Sequence, residues 1–177
     1  MSFGFQKPIA VIDEAIKYAF FCNIIMFAAT SKDGGNEEVA LPASVHEAVI
    51  GVNSTDTWGG KSVFSPNILP LSENFSVLGE AVESSWPKHL EQGNRQCRSG
   101  TSYATLIATG TAANMLFYVR MKLTNEAKVK EVATCRGVKK LLLSMAAPIG
   151  GYSYIRPWVL WKESDEDMLA QIRTALK

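Results

Sequence analysis

The residues most able to do chemistry lie in one stretch, RQCRSGTSYATLIATGTAANML, residues 95–116. It passes through Gly100-Thr101-Ser102 and then carries no charge until Arg120. A serine opening so long an uncharged run has two chemical uses. Its hydroxyl can cap a helix by accepting a hydrogen bond from a free first-turn N–H, worth about 1 kcal/mol. It can also attack a carbonyl: Gly100 removes bulk where a substrate backbone would approach. The N–H groups and dipole of the helix start would then meet the developing oxyanion. Such an attack needs a general base beside the serine. Both uses are open at this point.

The run must be a helix to serve either use. The spacing predicts one over Thr101–Lys122, about 33 Å long. Gly100, Ala104, Ala108 and Ala112 recur every fourth position and form a stripe that another backbone can approach closely. Length alone would permit a membrane span. However, Thr101, Ser102, Thr105, Thr109, Thr111 and Asn114 are polar, so a core helix is expected and no membrane association.

Upstream, PIAVIDEAIKYAF (8–20) places Ile9, Ile12, Ile16, Ala19 and Phe20 on one helical face. NIIMFAAT (23–30) and AVIGVNST (48–55) are short, nearly unbroken apolar runs, as expected of parallel strands buried on both faces. The expected fold class is therefore α/β with a mostly parallel sheet. Residues 60–96 are punctuated by Gly60, Pro66, Pro70 and Pro87, with short strands possible in FSVLGEAV (75–82). A further helix is expected over 126–146 and a last one over about 165–176, opened by Ser164 and Asp167 in the S-x-x-D arrangement.

At 177 residues the chain suits a single domain, 1–177, able to bury about 70% of its unfolded surface. A net charge of +1 leaves no basic footprint for nucleic acid. Lys128, Lys130, Arg136, Lys139 and Lys140 are expected to form a solvated helix face. Cys22, Cys97 and Cys135 have neither CxxC spacing nor a histidine cluster, so buried reduced thiols are expected, with no zinc and no disulfide framework. Asp33, Asn36, Glu37 and Glu38 lack a ligand spacing and are expected to face water; no metal and no cofactor are implied. With Lys7, Asp13 and Glu14 interrupting any leader-like core, an intracellular, cytoplasmic location is expected if Met1 is the true start.

SGTSYATLIATG resembles the nucleophile segment of subtilisin-like serine peptidases, Gly-Thr-Ser-x-Ala-[Ser/Thr]-Pro followed by a small-residue helix. Gly100, Thr101, Ser102, Ala104, Thr105 and Gly110 match, and Leu106 stands where that family has proline. IIMFAATSKDGGN (24–36) resembles the strand that walls the specificity pocket and then carries the oxyanion asparagine. LPASVHEAVIGVNST (41–55) resembles the next strand, and LGEAVESSWP (78–87) the segment before the nucleophile. GGYSYIRPWVLW (150–161) resembles subtilisin-like domains of large intracellular fungal proteins. The resemblance covers residues 9–123 best, with 124–177 as C-terminal helices and tail. It implies the C-terminal part of a three-layer catalytic domain.

It also implies roles. Ser102 would be the nucleophile and its N–H an oxyanion donor. Phe27, Ala28, Ala29, Thr30, Gly100 and Thr101 would line the substrate site, and a peptide or protein would be the substrate. Laid without gaps, Lys32 takes the place of the oxyanion asparagine, with Ser31 and Asn36 nearby. In that family the acid and base precede the serine, yet no Asp-[Ser/Thr]-Gly or His-Gly-[Thr/Ser] occurs here. Asp13 lies on the helix before the first strand, His46 at the start of a strand without a catalytic counterpart, and His89 in a polar loop. Three readings follow: part of a peptidase whose acid and base lie elsewhere, a non-catalytic pseudopeptidase or scaffold module, or an unrelated α/β domain in which Ser102 caps a helix.

Overall fold

A computed structural model describes residues 1–31, 34–35, 38–70, 72–87, 95–161 and 163–176. Helix α1 (Ala10–Phe21) leads into β1 (Met26–Ala29), β2 (Val49–Thr55) and β3 (Phe75–Leu78). A hairpin follows, β4 (Val82–Ser85) with β5 (Arg95–Arg98), and then the long helix α2 (Thr101–Lys122). After it come α3 (Glu126–Val132), α4 (Cys135–Ser144), β6 (Ala146–Ile149), β7 (Tyr152–Ile155), α5 (Pro157–Trp161) and α6 (Asp165–Ala175).

The main sheet runs β1-β2-β3-β7-β6, parallel except for β6. Its apolar strands alternate between two cores, because successive side chains point to opposite faces. Phe27, Ile50, Val52, Phe75 and Val77 point to one face and pack with Ala104, Ala108, Ala112, Met115 and Val119 of α2 and with Leu141 and Leu142 of α4. Ala28 and Val49 point the other way, to Ile16 of α1. The expected α/β class and mostly parallel sheet are present, in three layers with α2 against the centre.

Local signals explain several boundaries. Helix α1 ends in a Schellman arrangement: Asn23 takes φ 57°, the Ile24 N–H bonds the Ala19 carbonyl, and the Asn23 N–H bonds that of Phe20. Ser164 caps α6 by accepting from the Asp167 N–H at 3.2 Å, as its sequence predicts.

The single helix expected over 126–146 is two. Thr134 breaks it: its hydroxyl donates to the Glu131 carbonyl at 2.7 Å and accepts from the Gly137 N–H at 3.0 Å, ending α3 and capping α4. Gly137 makes the crossing possible, since a Cβ there would lie 2.4 Å from the Glu131 carbonyl oxygen. The helix then stops at Ser144, and Gly150-Gly151, both at positive φ, turn β6 into β7.

Two other expectations are corrected. Cys22 and Cys97 are exposed, and only Cys135 is buried, where desolvation pushes its thiol above the usual range. Lys139 leaves the solvated face: its ammonium bonds the His46 carbonyl at 2.7 Å and pairs with Glu73 at 3.1 Å. No helix among the described residues is long and apolar enough to cross a membrane.

Candidate active site

The start of α2 is fixed by a relay of main-chain bonds from the sheet. The Gly79 N–H, just past β3, donates to the Thr55 carbonyl at the end of β2 at 3.0 Å. The Gly100 N–H then donates to the Gly79 carbonyl at 2.8 Å. A Cβ on Gly79 would lie 2.4 Å from the Ser54 hydroxyl and 2.9 Å from the Gly100 carbonyl, so only glycine allows this approach. The end of β2 is in turn pinned from below: Ser65 receives the Ser54 N–H at 2.9 Å and donates back to its carbonyl at 3.0 Å.

Gly100 is the N-cap, without a side-chain cap, and Thr101 opens the helix. The Thr101 hydroxyl donates to the Ser31 carbonyl at 2.8 Å, tying α2 to the segment after β1. Thr105 donates to the Thr101 carbonyl at 2.8 Å and Thr109 to that of Thr105 at 2.7 Å. Each threonine thus satisfies its own hydroxyl while its small side chain keeps α2 close to the sheet.

Ser102 sits in the second helical position, partly exposed. Among the described residues nothing bonds its hydroxyl, so it caps nothing, and the capping use is excluded. Helix geometry leaves the Thr101 and Ser102 N–H groups without intrahelical acceptors, while those of Tyr103 and Ala104 bond the Gly100 carbonyl at 3.1 and 3.3 Å. A free hydroxyl and free N–H groups therefore share one helix end, at the positive pole of the helix dipole.

The groove at Ser102 is completed by Thr101, by Ala29 and Ser31 around the end of β1, by Ala40, and by Ser2, Phe3, Gly4 and Gln6. That last group went unread in the sequence. The Met1 ammonium bonds the Phe27 carbonyl, the Ala29 N–H bonds the Met1 carbonyl at 3.0 Å, and Phe5 exchanges two bonds with Leu41 at 2.9 Å each. These contacts lay residues 2–6 along the rim. Gly4 fits because a Cβ there would lie 2.8 Å from the Ala40 Cβ. The SFG triplet, small and apolar, was the available signal.

The structure brings Ala29, Thr101 and Ser102 together in the groove, with Gly100 immediately ahead of them. Phe27 and Ala28 turn instead into the two cores. The Thr30 hydroxyl donates toward the Asn53 side-chain oxygen at 2.9 Å and holds that buried asparagine. Lys32 and Asn36, and with them Asp33, Glu37 and His89, lie outside the described residues. His46 lines a separate, enclosed cavity with Asn53, Glu73 and Lys139. The described residues lining the Ser102 groove include no histidine, aspartate or glutamate.

Comparison with known proteins gives a consistent picture. No family model matches. The subtilisin-like protease het-Q2 of Podospora anserina is 28% identical over 168 residues, 85% of this chain and 44% of that protein. A serine-to-alanine mutant of the protease domain of PatA superposes with a TM-score of 0.70 at 23% identity, over 99% of this chain and 58% of that one. The prenylagaramide maturation protease PagA gives 0.63 at 24% identity with the same coverage. The chain is thus related in sequence to the subtilisin-like serine proteases and carries their fold, over about half the length of the proteins it matches.

Proposed function

We propose that this chain is the nucleophile-bearing, C-terminal part of a subtilisin-like serine endopeptidase domain. The observation that carries the reading is the Ser102 hydroxyl at the start of α2, unbonded among the described residues and lining an open groove. A peptide lies in the groove against residues 2–4, Ala29 and Ser31. Ser102 Oγ attacks its carbonyl carbon, giving its proton to a base carried by the portion this chain does not span. The oxyanion is held by the Ser102 N–H; in the sequence Lys32 takes the place of the family's asparagine. Collapse of the tetrahedral species breaks the peptide bond and leaves an acyl-Ser102, which water then hydrolyses. Thiols left free at Cys22, Cys97 and Cys135 favour an intracellular setting.

By itself the chain is expected to turn over no peptide, since removing a triad member costs orders of magnitude. A fluorophosphonate probe should label Ser102 once the rest of the domain is supplied, and should not label a Ser102→Ala version. Peptide turnover by the chain alone that Ser102→Ala abolishes would refute the need for a second portion. A groove free of acid and base among its described residues favours a second reading, a non-catalytic binding or scaffold module. Persistent lack of labelling in the completed domain would establish it over the first.

A further inference from the structure

Asn53 lies inside β2 and is 3% exposed. Asparagine is depleted in strands, and burying its amide costs stability unless the amide is bonded. The bonds it makes reach to both sides of β2. Its Nδ2 donates to the Phe75 carbonyl of β3 at 3.1 Å, and its Oδ1 accepts from the hydroxyl of Thr30, just past β1, at 2.9 Å. The Phe75 carbonyl can only accept, so it fixes the orientation of the amide and leaves the oxygen to Thr30.

Thr30 in turn joins the parts of the groove. Its N–H donates to the Val52 carbonyl at 3.2 Å, and its own carbonyl accepts from the N–H of Ala40, a groove residue, at 2.9 Å. The next carbonyl, that of Ser31, receives the Thr101 hydroxyl at 2.8 Å, and Ser102 follows Thr101. The Thr30 hydroxyl has a second acceptor in the Val52 carbonyl at 3.2 Å, which already takes the Thr30 N–H. Packing does not hold the asparagine in place. Beside it lies the enclosed cavity shared with Glu73 and Lys139, about 20 Å³ and so large enough for one water. Hydrogen bonds rather than shape therefore set where the amide sits, and with it the Thr30 side chain.

We propose that Asn53 is a positioning residue of the Ser102 site, acting through Thr30 and Ser31 to hold the carbonyl from which Thr101 hangs. It touches no substrate. Losing its bond to Thr30 lets the Thr30–Ser31 peptide turn, and the start of α2 shifts against β1. The catalytic consequence rests on the peptidase-domain reading above, whereas the positioning is a property of this chain.

The test reads amide resonances of the full 177-residue chain by NMR. Asn53→Ala and Thr30→Val should each move the Thr101 and Ser102 resonances, and the double variant should move them no further, since both break one bond. Thr30→Ser keeps the hydroxyl and should leave them at their wild-type positions. Ile172→Ala, at a fully buried position of α6, should lower the melting temperature without moving them. In the completed domain, fluorophosphonate labelling of Ser102 should slow about tenfold with Asn53→Ala and stay near wild type with Thr30→Ser. Thr101 and Ser102 resonances that stay put in Thr30→Val, or that move as far in Ile172→Ala, would overturn the proposal. If Asn53→Ala does not fold, the contrast between Thr30→Val and Thr30→Ser decides it. Moved resonances in a chain whose Ser102 is never labelled in the completed domain would uphold the positioning and sink only the catalytic reading.

Discussion

The two halves of α2 solve different problems. From Thr101 to Thr111 its buried positions are Thr101, Ala104, Thr105, Ala108 and Thr111, and the hydroxyls of Thr101 and Thr105 are spent on nearby carbonyls. From Ala112 to Lys122 the buried positions are Ala112, Met115 and Val119, packed against a core that includes Leu141, Leu142 and Ile172. The first half brings main chain close to main chain and buries little apolar area. The second buries large side chains. Placement of Ser102 and anchorage of the helix are thus separate properties of one element.

The largest effect should come from the anchoring half. Met115→Ala, at a position 1% exposed, is expected to lower unfolding free energy by about 2–5 kcal/mol in a denaturant titration. A loss under about 1 kcal/mol would show that anchorage lies elsewhere. In the placing half, Thr101→Val removes the hydrogen bond to the Ser31 carbonyl and should cost about 0.5–1.5 kcal/mol. One residue on, Ser102→Ala removes a hydroxyl that bonds nothing among the described residues and should stay within about 0.5 kcal/mol. If Ser102→Ala costs more than Thr101→Val, the contrast between holding residue and free hydroxyl fails.

The smallest effect concerns the C-terminal end of α2, where Tyr118 and Lys122 both donate to Asp165 at the start of α6. The hydrogen bond from Lys122, then that from Tyr118, holds the Asp165 carboxyl below its ordinary value. Its stabilising contribution is therefore complete above the unfolded aspartate value, about 3.9, and fades as pH falls through the lower folded value. Lys122 is held above its ordinary value, mainly by the same bond, so its contribution fades only as pH rises through that raised value. Denaturation midpoints of the wild type and Asp165→Asn should differ slightly at neutral pH and converge in strong acid. Curves that stay parallel down to pH 2 would show that this pair does not couple the helices.

What could be read from the sequence follows the range of each signal. The bounds of α2 and the capped start of α6 were legible, because helix periodicity and the Ser164 cap are local. The buried strands β1 and β2 were legible as apolar runs, and their parallel pairing followed. The break at Thr134 was not, because Leu141-Leu142-Leu143 prolongs a helical pattern across a boundary set by one hydroxyl and by the closeness at Gly137. The Gly150-Gly151 pair did carry a hairpin signal, overshadowed by the helix expected before it. In the site, the position of Ser102 was legible from its motif. Residues 2–6 were not, since their place in the groove depends on bonds from Met1 and Phe5 to Phe27, Ala29 and Leu41, 26 to 36 residues away in the sequence.

The contact among Ser54, Gly79 and Gly100 bears on how this chain can change over time. A methyl group at Gly79 would meet a side chain from one strand and a carbonyl from the helix start, so none of the three can drift alone. Substitutions there should arise together or not at all, and a set of related sequences should show them varying as one unit.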